Sequence, residues 1–392
     1  AKIFTENEID AIPKKQQATT ELSEMPKWRQ QFSAIASLVK TEVSATEVTS
    51  WLKDYKAFVP KWAKPVSIAF SFVSLGLFIA YYFDFVSGYL IGGWFFLGMI
   101  ITGIYFKKLN ELSSHTSKVQ STFEQFQKLI LEIEKENFSS EILLERKKSV
   151  LNSSEKASQV LKQFARYLDA FEQRNIMLFG MIISCFTLRD LRQSYNIEKW
   201  IEAHKLNVPI WFDAITFFDA YNSLGNFAFN HPDYIFPKII DDVPVLKVKG
   251  AGHPLLKEAT MVRNDIQINS EEFFIVTGAN MAGKSTFLRT VSLQIVMGNI
   301  GLPVCAEKAE YSPIKLITSM RTTDSLTDDE SYFFSELKRL KFIVDEIKTD
   351  RYFIILDEIL KGTNSTDKAI GSRKFVEKLV ASNSTGIIAT HD

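Results

Sequence analysis

The sequence predicts an α/β phosphate-loop fold with a parallel sheet, joined to an all-α part that carries a two-helix transmembrane hairpin. Three observations carry that expectation. Residues Gly278-Ala279-Asn280-Met281-Ala282-Gly283-Lys284-Ser285 fit the spacing GxxxxGK(S/T) between a β-rich run and a helical run. Short β-rich runs alternate with helical stretches after Pro237, which is the pattern of a parallel sheet crossed by helices. Two uncharged runs, Pro65 to Phe83 with 19 residues and Phe85 to Phe106 with 22, are separated by Asp84 alone.

Composition narrows the classes. The 392 residues suffice for two or three domains, and 46% hydrophobic with 23% charged residues excludes both wholesale disorder and a polytopic transporter. Basic and acidic residues balance at 46 each, so any contact with nucleic acid or acidic lipid must come from a local patch. The two cysteines, Cys185 and Cys305, are far apart and lack a CxxC partner, which points away from a disulfide framework or a structural zinc site and toward a reducing cytosol. The chain starts at Ala1 and stops at Asp392 straight after an apolar run, which suggests trimming at both ends.

Residues 1–64 read as polar helices broken at Pro13, with N-cap chemistry expected at Thr20-Glu21-Leu22-Ser23-Glu24-Met25 and again at Ser44 to Leu52. Residues 65–106 form the hairpin. At 1.5 Å per residue its two runs measure roughly 28 and 33 Å, matching a hydrocarbon core of about 30 Å. Trp62, Tyr81, Tyr82, Tyr89 and Tyr105 stand where interfacial aromatics belong. Lys61 and Lys64 precede the first run and Lys107 and Lys108 follow the second, so both ends face the cytoplasm under the positive-inside rule. A signal peptide would begin earlier in the chain and carry a cleavage site.

Residues 107–240 read as a helical lever domain. Leu109, Leu112, Thr116, Val119, Phe123, Phe126, Ile130 and Ile133 follow a 3,4 spacing, one stripe along a long helix that continues the second apolar run. A third apolar run, Ile176 to Leu188, is too short to span and reads as a buried helix between Arg174 and Arg189. Further helices are expected from Leu143 to Phe171 and from Trp200 to Phe229, ended by Pro232 and Pro237.

Residues 241–392 are the α/β domain. The five β-rich runs are Val245–Lys249, Ile266–Ile268, Phe273–Thr277, Tyr352–Leu356 and Thr385–Thr390. Phe273 to Val276 reads as a buried strand, and Ser285 to Val296 as an amphipathic helix. Between them, backbone N–H groups of the Gly-rich turn would cradle phosphate oxygens at the positive end of the helix. Lys284 would reach the β- and γ-phosphates, and Ser285 would ligate Mg²⁺. Asp357 and Glu358 end a strand at the carboxyl edge of the sheet, where ligands bind. There Asp357 would hold Mg²⁺ through its water shell, while Glu358 would orient and deprotonate the attacking water. His391 follows the last apolar run and would reach the γ-phosphate or that water.

Residues 277–289 resemble the phosphate loop of the MutS-type mismatch-repair ATPases, in which the pair Asn280-Met281 is distinctive. Asp357-Glu358 through Asp367 resembles that family's acidic strand and following loop, and Thr390-His391 its histidine switch. Ser331-Tyr332-Phe333-Phe334-Ser335-Glu336 resembles the signature that reaches a partner's γ-phosphate across a dimer. Phe218-Asp219-Ala220, Asn226-Phe227-Ala228 and Gly252-His253-Pro254-Leu255 resemble the junction between levers and ATPase. The family's Pro and Gly within the loop are Ala279 and Ala282 here, and only 64 residues precede the apolar hairpin, too few for mismatch-reading and connector domains.

The resemblance implies an ABC/MutS-like ATPase that binds ATP and Mg²⁺ through 278–286, Thr286 included, in a homodimer whose sites Ser331 completes. Its levers would act on DNA. Together with the hairpin, it implies a protein of the cell inner membrane, bound to lipid, with its N-terminal segment, levers and ATPase on the cytoplasmic side. Of the chain's own residues, only the triplet Arg146-Lys147-Lys148 offers a basic patch. The alternative is therefore a membrane-bound scaffold or switch whose ATP-driven dimer remodels a protein or lipid partner without DNA.

Overall fold

A computed structural model describes residues 8–38, 43–151, 155–173, 177–241, 243–279, 282–320, 332–360 and 365–390. Among the described residues ten α-helices come first: α1 (Ala11–Ser23), α2 (Pro26–Ser37), α3 (Ala45–Asp54), α4 (Ala63–Tyr82), α5 (Gly88–Lys135), α6 (Glu141–Leu151), α7 (Ala157–Glu172), α8 (Met177–Thr187), α9 (Arg189–His204) and α10 (Val208–Asn230). The α/β part follows as β1 (Lys238–Ile239), β2 (Leu246–Ala251), β3 (Asn264–Ile268), β4 (Phe273–Thr277), α11 (Lys284–Ile300), β5 (Lys308–Tyr311), β6 (Lys315–Ser319), α12 (Tyr332–Glu346), β7 (Tyr352–Asp357), α13 (Ser365–Ala381) and β8 (Thr385–Thr390).

Two compact units divide the chain. The helical one comprises Lys27–Ser139 and Leu143–Ala220, and the other comprises Ala1–Pro26, Ser140–Ile142 and Tyr221–Asp392. These cuts differ from boundaries at 64, 106 and 240, because α1 packs on α11 rather than with its neighbours in sequence. Close approach makes that contact: a Cβ on Gly301 (φ 76°) would lie 2.5 Å from Lys15 Cβ. Pro13 does not break α1. It occupies the first turn, whose N–H groups have no partner within the helix in any case. Thr20 to Met25 closes α1 instead of capping a new helix, with Ser23 Oγ donating to the Thr20 carbonyl. The second expected cap is real, since Ser44 Oγ accepts the Glu47 N–H.

In the helical unit, α5 is a single 48-residue helix that runs through the second apolar run into the lever stripe. Seven of the eight stripe residues are buried, Phe126 being half-buried. The stripe meets α7 and α9 in an aromatic core where Phe164 stacks on Trp200 with centroids 3.8 Å apart and meets Phe123 edge-on. Helices α4 and α5 are each long and apolar enough to cross a membrane by length and composition. Phe70 stacks on Trp94, whose Nε1 donates to Ser74 Oγ. Phe72 and Ile104 on the outer faces are 70% and 73% exposed. Before α4, the N–H groups of Phe58 and Val59 and the Tyr55 hydroxyl donate to the Glu198 carboxylate of α9. The run expected to be a buried helix forms α8, but only one side is covered: Ser184 and Cys185 are buried while Ile182 and Ile183 are 45% exposed.

Among the described residues the other unit holds two sheets rather than one. β2 pairs antiparallel with β3 and β5, and β1 adds in parallel to β5, so Val245–Lys249 and Ile266–Ile268 lie outside the parallel sheet. The parallel sheet has the order β4-β8-β7-β6. Its centre is dry: Phe353, Ile354, Ile355 and Leu356 are wholly buried, each side chain contributing about 1.5–3 kcal/mol of burial. β4 is not buried as expected. It is an edge strand, and Phe274 and Ile275 face outward. Helix α11 is amphipathic only in its first half. From Met297 to Ile300 every residue is buried.

Candidate nucleotide site

The parallel sheet sets the site because strand register brings three carboxyl ends level. Val276 of β4 pairs with Ala389 of β8, and Ala389 pairs with Asp357 of β7. Asp357 thus sits two strands from the turn that follows β4, about 10 Å at 4.8 Å per strand. Both ends open on the same edge.

That turn is built by backbone geometry. Gly283 has φ 87° and caps α11, a conformation that a side chain would strain. Lys284 begins α11 nearly buried, and its Nζ donates to the Gly278 carbonyl at 2.6 Å and to that of Ala279 at 3.1 Å. The ammonium is therefore held inside the turn at the positive end of a 17-residue helix. Beside it opens a cavity of about 540 Å³, bounded by Thr277, Lys284, Thr286 and Phe287 and walled by His253 and Val262. Apolar walls beside an oriented N–H turn and a buried lysine suit a flat base and a phosphate chain.

Asp357 is buried at the end of β7, whereas Glu358 is half-buried with φ 51° and donates its N–H to Ala389 O at 3.0 Å. The two successive acidic residues thus sit on different backbone, Asp357 in the strand and Glu358 in a left-handed conformation. Leu360 is also left-handed at φ 60°, and its N–H donates to Glu336 Oε1 of α12 at 2.7 Å. Among the described residues no group of three or more His, Cys, Asp or Glu is placed to hold a metal. Mg²⁺ needs no such cage: one or two protein oxygens plus substrate phosphates suffice, and Ser285 and Asp357 are donors of that kind.

The structure thus brings together Gly278, Ala279, Ala282, Gly283, Lys284, Ser285, Thr286, Asp357 and Glu358 on one edge. Asn280, Met281, Ser331 and His391 lie outside the described residues. The sequence reading placed His253 at the junction between levers and ATPase rather than in the cavity wall, and it missed Val262 and Phe287 as walls and the tether from Glu336. The run His253-Pro254 between two strands was a signal for the first. The second depends on where α12 packs.

Comparison with known proteins points the same way. The family MutS domain V matches residues 274–392. The chain is 30% identical over 271 residues to the DNA mismatch repair protein MutS of Syntrophomonas wolfei, covering 67% of this chain and 30% of that protein. The protein of the same name from Thermotoga petrophila is 28% identical over 254 residues, 63% of this chain and 30% of its own length. That from Syntrophobacter fumaroxidans is 29% identical over 229 residues, 57% and 24% respectively. The chain therefore spans less than a third of the length of these relatives. With the turn, the acidic strand end and the family match falling on the same residues, the chain belongs to the MutS family.

Proposed function

We propose that the chain is a membrane-anchored ATPase with a phosphate-loop fold, which binds ATP and Mg²⁺ at the edge of its parallel sheet and couples nucleotide state to its helices. The observation that carries this is the register Val276–Ala389–Asp357, which brings the turn after β4 and the acidic end of β7 to one edge of the sheet. When bound, Mg²⁺ neutralises phosphate charge. Lys284 would hold the β- and γ-phosphates, Ser285 and Asp357 would hold the metal, and Glu358 would take the proton of the attacking water. His391 contacts that water or the γ-phosphate. Phosphoryl transfer is mostly positioning, which suits residues held by a strand end and a helix N-terminus.

Two copies form a dimer in which Ser331 of each completes the other's site. Mixing Ser331→Arg with Lys284→Ala in the full-length protein should restore part of the hydrolysis each variant lacks, because one composite site then carries neither lesion. No rescue on mixing removes the composite site. The helices α4 and α5 anchor the protein in the inner membrane, with the remainder on the cytoplasmic side, since lysines flank both free ends.

The relatives are DNA mismatch repair proteins, so DNA is the first ligand to test for the helical levers. A second reading, a membrane switch acting on a protein or lipid partner, is favoured by the basic triplet: Arg146 pairs with Asp213 at 2.9 Å and Lys147 Nζ donates to Glu136 O. Two of three cations are thus committed within the unit. Binding of the detergent-solubilised protein to duplex DNA across a salt series decides between the readings. A steep loss with salt supports DNA, and no binding at low salt supports the switch.

A further inference from the structure

We propose that α8 and the start of α9 form a re-entrant hairpin that dips into the cytoplasmic half of the bilayer and presents Ile182 and Ile183 to lipid acyl chains. This rests on the reading of α4 and α5 as membrane spans.

Depth can be measured along both spans. Ser74 is eleven residues beyond Ala63 in α4, roughly 16 Å at 1.5 Å per residue, which is half of a core about 30 Å thick. Its Oγ donates to the carbonyl of Phe186 near the end of α8. Gly98 is ten residues beyond Gly88 in α5, roughly 15 Å from that end. A Cβ there would fall 1.7 Å from the Cys185 carbonyl oxygen. Two independent contacts therefore place the end of α8 at mid-depth.

The chain on either side lies at the charged ends of the spans. Glu172, which ends α7, accepts from Thr116 Oγ1 at 3.0 Å, beyond Lys107 and Lys108 on α5. Glu198 of α9 accepts from Phe58 and Val59, which precede Ala63. The path from Glu172 to Phe186 and on to Glu198 enters and leaves on one side.

Backbone turning at such depth must be covered by protein, because hydrocarbon offers no hydrogen bonds. Leu188, at φ 50°, makes the turn and is buried. Ser71 Oγ donates to Thr187 O at 3.2 Å, and the Leu188 N–H donates to Ser184 O at 2.8 Å. Arg189 directs its guanidinium back to Ala170 O and Gln173 Oε1, at 3.0 and 2.7 Å, the snorkelling expected of a cation below the interface. Ile182 and Ile183 of α8 are half-exposed, as are many apolar side chains of the two spans. In water that surface would be costly; against acyl chains it is not.

The test uses the full chain with both native cysteines replaced by alanine, reconstituted in vesicles containing acyl-chain doxyl lipid. A bimane label is placed singly at Ile183→Cys, Ile182→Cys, Leu75→Cys in α4 or Glu202→Cys in α9. Labels at 182 and 183 should show blue-shifted emission, lose fluorescence to doxyl lipid as at 75, and resist aqueous iodide. Position 202 should do the reverse. If 182 and 183 follow 202 while 75 is quenched by lipid, the re-entrant hairpin is overturned and the anchor stands. If 75 is also quenched by iodide and not by lipid, both readings fall.

Discussion

Strand β7 and helix α4 are about equally apolar, yet the protein uses them in opposite ways. Residues 353–356 of β7 are wholly buried between sheet neighbours and helices, while α4 leaves Phe72 and Leu75 70% and 57% exposed. Length separates them: a strand of six residues covers about 20 Å and needs protein on both faces, whereas a helix of 20 residues spans about 30 Å and can face lipid. Apolarity by itself therefore does not locate a core. What surrounds the apolar side chain decides how much it is worth.

The largest effect should come from the chemistry that β7 and its neighbours position. Lys284→Ala removes the buried cation of the turn and should abolish ATP binding by equilibrium titration, while Glu358→Gln should keep binding and lose hydrolysis by about 10²-fold or more. Comparable turnover by Glu358→Gln and the parent would remove the general-base assignment. On the proposed anchoring by α4 and α5, neither change should alter lipid association.

Next, matched truncations test the comparison directly. Leu356→Ala in the sheet should cost about 2–5 kcal/mol in denaturant unfolding, whereas Leu75→Ala on the outer face of α4 should stay within about 0.5 kcal/mol in detergent. Similar losses at the two positions would mean that the outer face of α4 is covered by protein.

A smaller effect is expected at Glu336. Replacing it with alanine strips the acceptor from the Leu360 N–H, an expected cost of about 1–3 kcal/mol, and should loosen the turn that carries Glu358. Hydrolysis should fall more than ATP affinity. Equal loss of both would make Glu336 structural only.

The smallest effect concerns pH in the helical unit. Burial raises the Glu198 carboxyl above its ordinary 4.5, although the Phe58 and Val59 N–H groups, the Tyr55 hydroxyl and Lys108 oppose it. The folded chain then binds that proton more tightly than the unfolded chain. Stability from this source is complete below 4.5 and is lost as pH rises to the raised value. Melting temperatures of Glu198→Gln across that range should lack the decline, and an unchanged slope would assign it to another group.

Much of the molecule is legible in its residues alone. The turn 278–285 is readable because its glycines, lysine and serine answer to local backbone geometry and phosphate chemistry. The lever stripe from Leu109 to Ile133 and the lengths of the two apolar runs are readable because helical period and run length are properties of a single segment. Other features depend on partners remote in sequence. Phe273–Thr277 and Tyr352–Leu356 look alike as strings, but sheet order makes one an edge and buries the other. Val245–Lys249 reads like a strand of the parallel sheet, and only pairing with β3 and β5 assigns it elsewhere. α1 joins the α/β unit through Gly301, and Glu336 reaches Leu360 through the packing of α12. Period, charge and turn chemistry are written within about ten consecutive residues and so were determined by the sequence itself. Edges, registers and covered faces arise from contacts between segments, whose free energy belongs to neither segment alone, and only the tertiary structure decided them.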